Sequence, residues 1–216
     1  LANPGFGRRV LSALAGPDSA GLGLLVIDEA HCISDWGHDF RPDYRRVRDM
    51  LAALSPDAAV LGTTATANDR VVADVAEQLG AGSDAAALRS YRGPLARTSL
   101  RLETLELRRP AERLAWLVEN LPRMKGSGIV YTLTRRDSEQ VAAFLTANGV
   151  PALAYSGEQE SAARVETEER LLRNEVKAVV ATSALGMGYD KPDLAFVVHF
   201  QAPGSVVSYY QQVGRA

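Results

Sequence analysis

Short, unbroken apolar runs recur along the chain: LLVI at Leu24–Ile27, AVLG at Ala59–Gly62, GIVY at Gly128–Tyr131, AVVA at Ala178–Ala181 and AFVVH at Ala195–His199. Runs this short and this apolar suit central strands of a parallel sheet, buried on both faces. Stretches with helical spacing lie between them. Asn68 or Asp69 can cap one that runs to Leu79, where Gly80 ends it. Asp137 opens a second, with Val141, Phe144 and Leu145 on one face and Asn148–Gly149 as its stop. Ala162–Arg173 is a third, charged and half exposed. Ser99–Leu107 alternates instead, which predicts a strand with one wet face. This repeating order predicts an α/β protein with mostly parallel sheets.

A chain of 216 residues accommodates two domains of about a hundred residues each. The pattern breaks most clearly at SYRGPLAR, Ser90–Arg97, where Gly93–Pro94 can continue neither a helix nor a central strand. The expected domains are therefore residues 1–93 and 94–216. Apolar content of 46% and charged content of 23% are those of an ordinary globular protein. The net charge of −2 excludes an overall positive field, though not a local basic groove. Cys32 is the single cysteine, so no intrachain disulfide is possible, and a cytoplasmic, reducing compartment is expected. No apolar run reaches eighteen residues and Leu1 does not open a signal peptide, so no membrane association is expected. Lysine occurs only at Lys125, Lys177 and Lys191. Coding bias explains the many arginines, which also suit phosphate binding.

Chemistry concentrates in LLVIDEAHCISDWGHDFR. In an open parallel sheet, ligands bind at the carboxyl ends of strands, where Asp28 and Glu29 stand. Asp28 can hold Mg²⁺ through its water shell. Glu29 can orient or deprotonate a water aimed at a γ-phosphate. The plain alternative makes Asp28 a helix cap and Glu29 a solvated charge. A zinc site from His31, Cys32 and His38 is a further alternative, and its adjacent ligands fit zinc spacing poorly. Trp36, His38 and Phe40 follow in a loop. Aromatic side chains there can stack on any base, with Arg41 adding a phosphate contact. They could instead plug a core, but Ser34, Asp35, Gly37 and Asp39 around them argue against a full plug.

DEAHCISDWGHDFRPDY resembles the Walker B motif and aromatic-rich loop of the RecQ family of DNA helicases. LGTTATAN, with Thr64 and Thr66, is similar to the motif that follows it in superfamily 2 helicases. DEAH alone also occurs in RNA helicases, and the aromatic loop is the more specific part. GIVYTLTRRDSEQVAAFL resembles the first motif of the second RecA-like lobe, VVATSALGMGYDKPDLAFVVHF resembles motif V, and SYYQQVGRA resembles the start of motif VI. The resemblance implies two RecA-like lobes, the first incomplete at its N-terminus. It implies ATP and Mg²⁺ as cofactors, single-stranded and duplex DNA as partners, 3′-to-5′ translocation with unwinding, and a nucleoid-associated location. Asp28, Glu29, His31, Gln211 and Arg215 would be catalytic, and Asp28, Gly188, Asp190 and Arg215 would hold Mg²⁺ and nucleotide. Thr64, Thr66 and Trp36 would couple the sites. Trp36, His38, Phe40, Arg41, Thr132, Arg135 and Thr182 would meet DNA.

Three departures stand out. There is no Gly-Lys dipeptide, hence no G-x-x-x-x-G-K-[ST] phosphate loop in these residues, and they alone are expected not to hydrolyse ATP well. That leaves a non-catalytic nucleic-acid-binding module as an alternative. Ala216 falls before the position of the family's second motif VI arginine. Ser156-Gly157-Glu158 stands where many RecQ proteins carry His-Ala-Gly, and Gly93-Pro94-Leu95 where they often carry Arg-Pro-Asn. Any zinc site would lie outside this chain.

Overall fold

The computed structural model describes residues 22–34, 58–79, 89–93, 99–185 and 189–216. The chain divides into two compact units, Leu1–Pro94 and Leu95–Ala216. In the first unit, β1 (Leu24–Ile27) pairs in parallel with β2 (Ala59–Gly62), Leu24 opposite Ala59 and Ile27 opposite Gly62. Helix α1 spans Asp69–Leu79. Asn68 Oδ1 accepts from the Val71 amide at 2.9 Å, so Asn68 is the cap. Ile27, Ala30, Ile33 and Leu79 form the small core, backed by Leu25, Val60 and Val75.

The second unit is a four-stranded, all-parallel sheet in the order β4-β5-β3-β6. Its strands are β3 (Gly128–Tyr131), β4 (Ala152–Tyr155), β5 (Ala178–Ala181) and β6 (Phe196–His199). Its helices are α2 (Pro110–Asn120), α3 (Arg135–Ala147), α4 (Ser161–Leu172) and α5 (Val206–Val213). Alternate residues of each strand feed two cores. Val130, Ala178 and Val180 pack with Leu117 and Leu121 of the α2 region and with Val141 and Leu145 of α3. Ile129, Tyr131, Val179 and Ala181 pack with Leu171 of α4 and with Leu185 and Leu194. Gly128 must be glycine: a Cβ there would sit 2.3 Å from the Phe196 carbonyl oxygen. Gly149, at φ +80°, makes the left-handed turn that ends α3.

Two lysines are tied to groups of this unit, one buried and one half-buried. Lys191 has a fully buried side chain paired with Asp193 at 2.5 Å. Lys177 donates to the Met124 and Gly126 carbonyls at 2.5 and 2.6 Å and lies over the Phe196 ring.

Ser99–Leu107 does not form the expected strand. Residues 100–108 follow no regular ladder, and Leu102 and Leu105 are exposed. Alternation prepares a segment for pairing, but a strand exists only with a neighbour, and none pairs with it among the described residues. The apolar-run reading also passed over β4, α2 and α5.

Candidate functional site

In the first unit the site is built at the end of β1. The chain turns at once: Glu29 adopts φ 51°, ψ 44°, a left-handed conformation uncommon for a residue with a Cβ. Straps to the end of β2 hold the turn. The Ala30 amide donates to the Thr63 carbonyl and the Thr63 amide to the Ile27 carbonyl, each at 2.9 Å. The Thr63 hydroxyl donates to Asp28 Oδ1 at 2.7 Å, and the Glu29 amide donates to the same oxygen at 2.9 Å. The Thr63 hydroxyl foremost, then that amide, lowers the Asp28 pKa against a small burial cost. The result is an exposed, ionised carboxylate with its second oxygen available, a donor suited to Mg²⁺ carrying most of its own water and phosphate ligands.

His31 is buried, and its Nδ1 gathers three groups. Thr64 Oγ1 lies at 3.0 Å, Glu29 Oε2 at 3.2 Å and Thr66 Oγ1 at 3.5 Å. Nε2 faces the Cys32 sulfur at 3.6 Å. The sequence-derived residues Asp28, Glu29, His31, Thr64 and Thr66 are thus brought together. Trp36, His38, Phe40, Arg41 and Gly188 lie outside the described residues, so the aromatic loop and the zinc alternative through His38 do too. Among the described residues no group of three His, Cys, Asp or Glu side chains could hold a metal.

In the second unit, residues at the carboxyl ends of four adjacent strands stand in a row: Ser156, Thr182, Thr132 and Phe200–Gln201. Thr132 differs from the expected exposed phosphate ligand. It is buried, and its hydroxyl faces the Thr134 and Ala181 carbonyls at 3.3 and 3.4 Å. Thr182 is half-buried and receives the Ala184 amide at 3.4 Å. Arg135 is exposed and ion-paired with Glu139 and Glu158, each at 2.8 Å, contacts that raise its pKa. The Ser156 hydroxyl is buried with no hydrogen-bond partner.

Arg215 sits just past α5. It donates to the Tyr189 carbonyl at 3.0 Å, while its Nε is buried with no partner. Tyr189, Asp190, Lys191, Leu194 and Arg215 line a cavity of ≈ 290 Å³. An exposed carboxylate and an arginine on one cavity fit a ribose hydroxyl and a phosphate. Burial pushes the Tyr131 hydroxyl up to about 12, opposed by Arg215. That hydroxyl donates to the Leu185 carbonyl at 2.9 Å. Gln211 is half-buried on α5, and its neighbour Gln212 bonds His199 Nε2 through Oε1 at 2.7 Å.

Sequence reasoning missed Gln201 and the part played by Glu158. Gln201 belongs to no run or motif, and Glu158 stands out in the sequence only as part of the departure Ser156-Gly157-Glu158; only the folded chain puts them beside the β3–α3 turn.

Comparison with known proteins agrees with this layout. The DEAD/DEAH box helicase family matches residues 7–75, and the helicase conserved C-terminal domain matches residues 112–216. The chain is 40% identical to the ATP-dependent DNA helicase RecQ of Haemophilus influenzae over 193 residues, 89% of this chain and 30% of that protein. It is 38% identical to the RecQ of Bacillus subtilis, over 89% of this chain and 32% of that one. It is also 38% identical to the mouse ATP-dependent DNA helicase Q1, over 88% and 29%. The chain thus spans about 30% of the length of the curated relatives it matches. The fold is shared with yeast Dbp5 bound to RNA and ADP BeF3, at a TM-score of 0.63 and 20% identity, covering 89% of this chain and 49% of that one. It is shared too with Mycobacterium smegmatis helicase Lhr bound to ssDNA and AMP-PNP, at 0.66 and 23%, covering 89% and 26%. Fold and site therefore define part of a superfamily 2 helicase core with RecA-like α/β units. Within that class, the chain belongs to the RecQ family.

Proposed function

We propose that the protein is an ATP-dependent DNA helicase that couples ATP hydrolysis to 3′-to-5′ movement along single-stranded DNA and duplex unwinding. The observation that carries this reading is the His31 cluster, which joins the acidic turn after β1 to the Thr64–Thr66 turn after β2. Asp28, kept ionised by Thr63, holds Mg²⁺. Mg²⁺ held by Asp28 would supply charge neutralisation at the phosphates of ATP. Glu29 orients the attacking water and accepts its proton at the carboxylate. His31 fixes that carboxylate and transmits movement of Thr64 and Thr66 to it.

Asp190 accepts a hydrogen bond from the ribose and Gly188 allows close backbone approach. Arg215 stabilises charge on the phosphoryl group, with Gln211 beside it on the nucleotide. Arg135 and Thr182 meet the DNA backbone, and Thr132 supports them from beneath the surface. Trp36, His38, Phe40 and Arg41 bind bases and backbone, and Trp36 signals occupancy to the adjacent carboxylates. Identity near 40% to proteins named as DNA helicases favours DNA over RNA.

The test has two arms: binding of single-stranded DNA and RNA by the chain, and ATP turnover once it is joined to a phosphate loop. Preference for DNA, with DNA-stimulated turnover, is expected. Stimulation by RNA alone would make it an RNA helicase. Binding with no polymer-dependent turnover would make it a binding module.

A further inference from the structure

Gln201 holds the β3–α3 turn at two points. Its Oε1 accepts the Leu133 amide at 2.9 Å, and its Nε2 donates to Asp137 Oδ2 at 2.9 Å. The two contacts bracket Thr134, Arg135 and Arg136. Within the bracket, the Thr134 hydroxyl donates to the same Asp137 oxygen at 2.7 Å, and the Asp137 amide returns to Thr134 Oγ1 at 3.1 Å. A carboxamide offers an acceptor to an N–H and a donor to a carboxylate from two separate atoms, which lets one side chain span both ends of the turn. Asparagine has the chemistry without the reach. Glutamate has the reach, but sets a second carboxylate against Asp137.

The residue doing the holding is itself fixed. The Phe200 amide donates to the Tyr131 carbonyl at 2.9 Å, continuing β6 past its ladder. Arg113 donates to the Phe200 carbonyl at 3.1 Å and lies over the Phe200 ring. His199, one residue earlier, is bonded to Gln212 of α5. A short segment fixed at these points thus joins the last turn of α5 to the turn that carries Arg135.

We propose that Gln201 is a positioning residue that holds the β3–α3 turn in the shape that presents Arg135 to a nucleic-acid phosphate. This rests on the DNA-binding role proposed above for that turn.

The experiment measures binding of a fluorescent single-stranded oligonucleotide to the 216-residue chain and hydrogen exchange at the Leu133 amide. Gln201→Ala is expected to weaken binding about tenfold, as two hydrogen bonds are lost, one of them to a carboxylate. Combined with Arg135→Ala, it is expected to add nothing to the loss that Arg135→Ala causes alone, since both act through one contact. Gln201→Glu is expected to weaken binding, and Asp137→Asn in the same chain to restore it by returning one donor and one acceptor to the pair. Losses that add in the double variant, or no rescue, would overturn the proposal, because loss of general stability would do both. If the unaltered chain binds no single-stranded DNA, the proposed function fails. Leu133 exchange then decides on Gln201 separately: faster in Gln201→Ala supports its hold on the turn, and unchanged overturns it.

Discussion

His31 Nδ1 lies 3.2 Å from Glu29 Oε2, and the same nitrogen reaches Thr64 Oγ1 at 3.0 Å. One ring nitrogen therefore serves both the acidic turn after β1 and the turn after β2. Glu29→Gln keeps shape and removes the proton acceptor. Turnover in a chain carrying a phosphate loop is expected to fall at least a hundredfold, with nucleotide binding retained. Retained turnover would remove Glu29 from the chemistry. Thr64→Ala should instead lower the stimulation of turnover by DNA more than the basal rate.

Arg135 enters the unbound state already neutralised. Glu139 and Glu158 each hold it at 2.8 Å, and all three side chains are exposed. DNA phosphate must displace them. Glu158→Ala should therefore tighten single-stranded DNA binding about two- to threefold at low salt, a gain that shrinks as salt rises. Equal affinity at low salt would show that the carboxylates do not compete.

His199 gives the fold an acid-sensitive point. Burial lowers its pKa below 6.5, with the Gln212 hydrogen bond acting in the opposite direction. The unfolded chain takes up the proton first as pH falls. The contribution to stability is full above about pH 6.5 and declines as pH drops through the lower folded value. His199→Asn should flatten the slope of denaturation midpoint against pH in that window. An unchanged slope would place the acid sensitivity elsewhere.

Leu145 is completely buried between α3 and the sheet. Leu145→Ala should cost about 3 kcal/mol in chemical denaturation of the second unit. A loss below about 1 kcal/mol would mean that the neighbouring side chains collapse into the space.

The apolar runs revealed β3 and β5 because burial on both faces demands unbroken apolar residues, whereas β1 and β2 carry the same pattern with Leu24, Val26 and Leu61 about half exposed, contrary to the two-sided burial expected of them. Strand β4 escaped because ALAY is half alanine, which favours no strand. Helix α2 escaped although its signals are present: Pro110 opens it, and Glu112 returns to the Arg109 amide at 3.1 Å. The acidic turn was legible because strand and carboxylates are contiguous. Arg135 was legible as a cation, but its two carboxylate partners were not, since Glu158 lies beyond β4. Thr132 read as a free hydroxyl because sequence does not show which way a strand-end side chain turns. Gln201 carried no local signal at all; its importance comes from a carboxylate 64 positions away.

The scarcity of lysine now has a practical meaning. Lys191 is sealed against Asp193, and Lys177 spends its ammonium on two carbonyls. Of the three, Lys125 is exposed, Lys177 half-buried and Lys191 buried. An amine-reactive dye or surface should therefore react with the lysines of this chain chiefly at Lys125. The molecule can be tethered there for single-particle measurement while the carboxyl ends of its strands stay unlabelled.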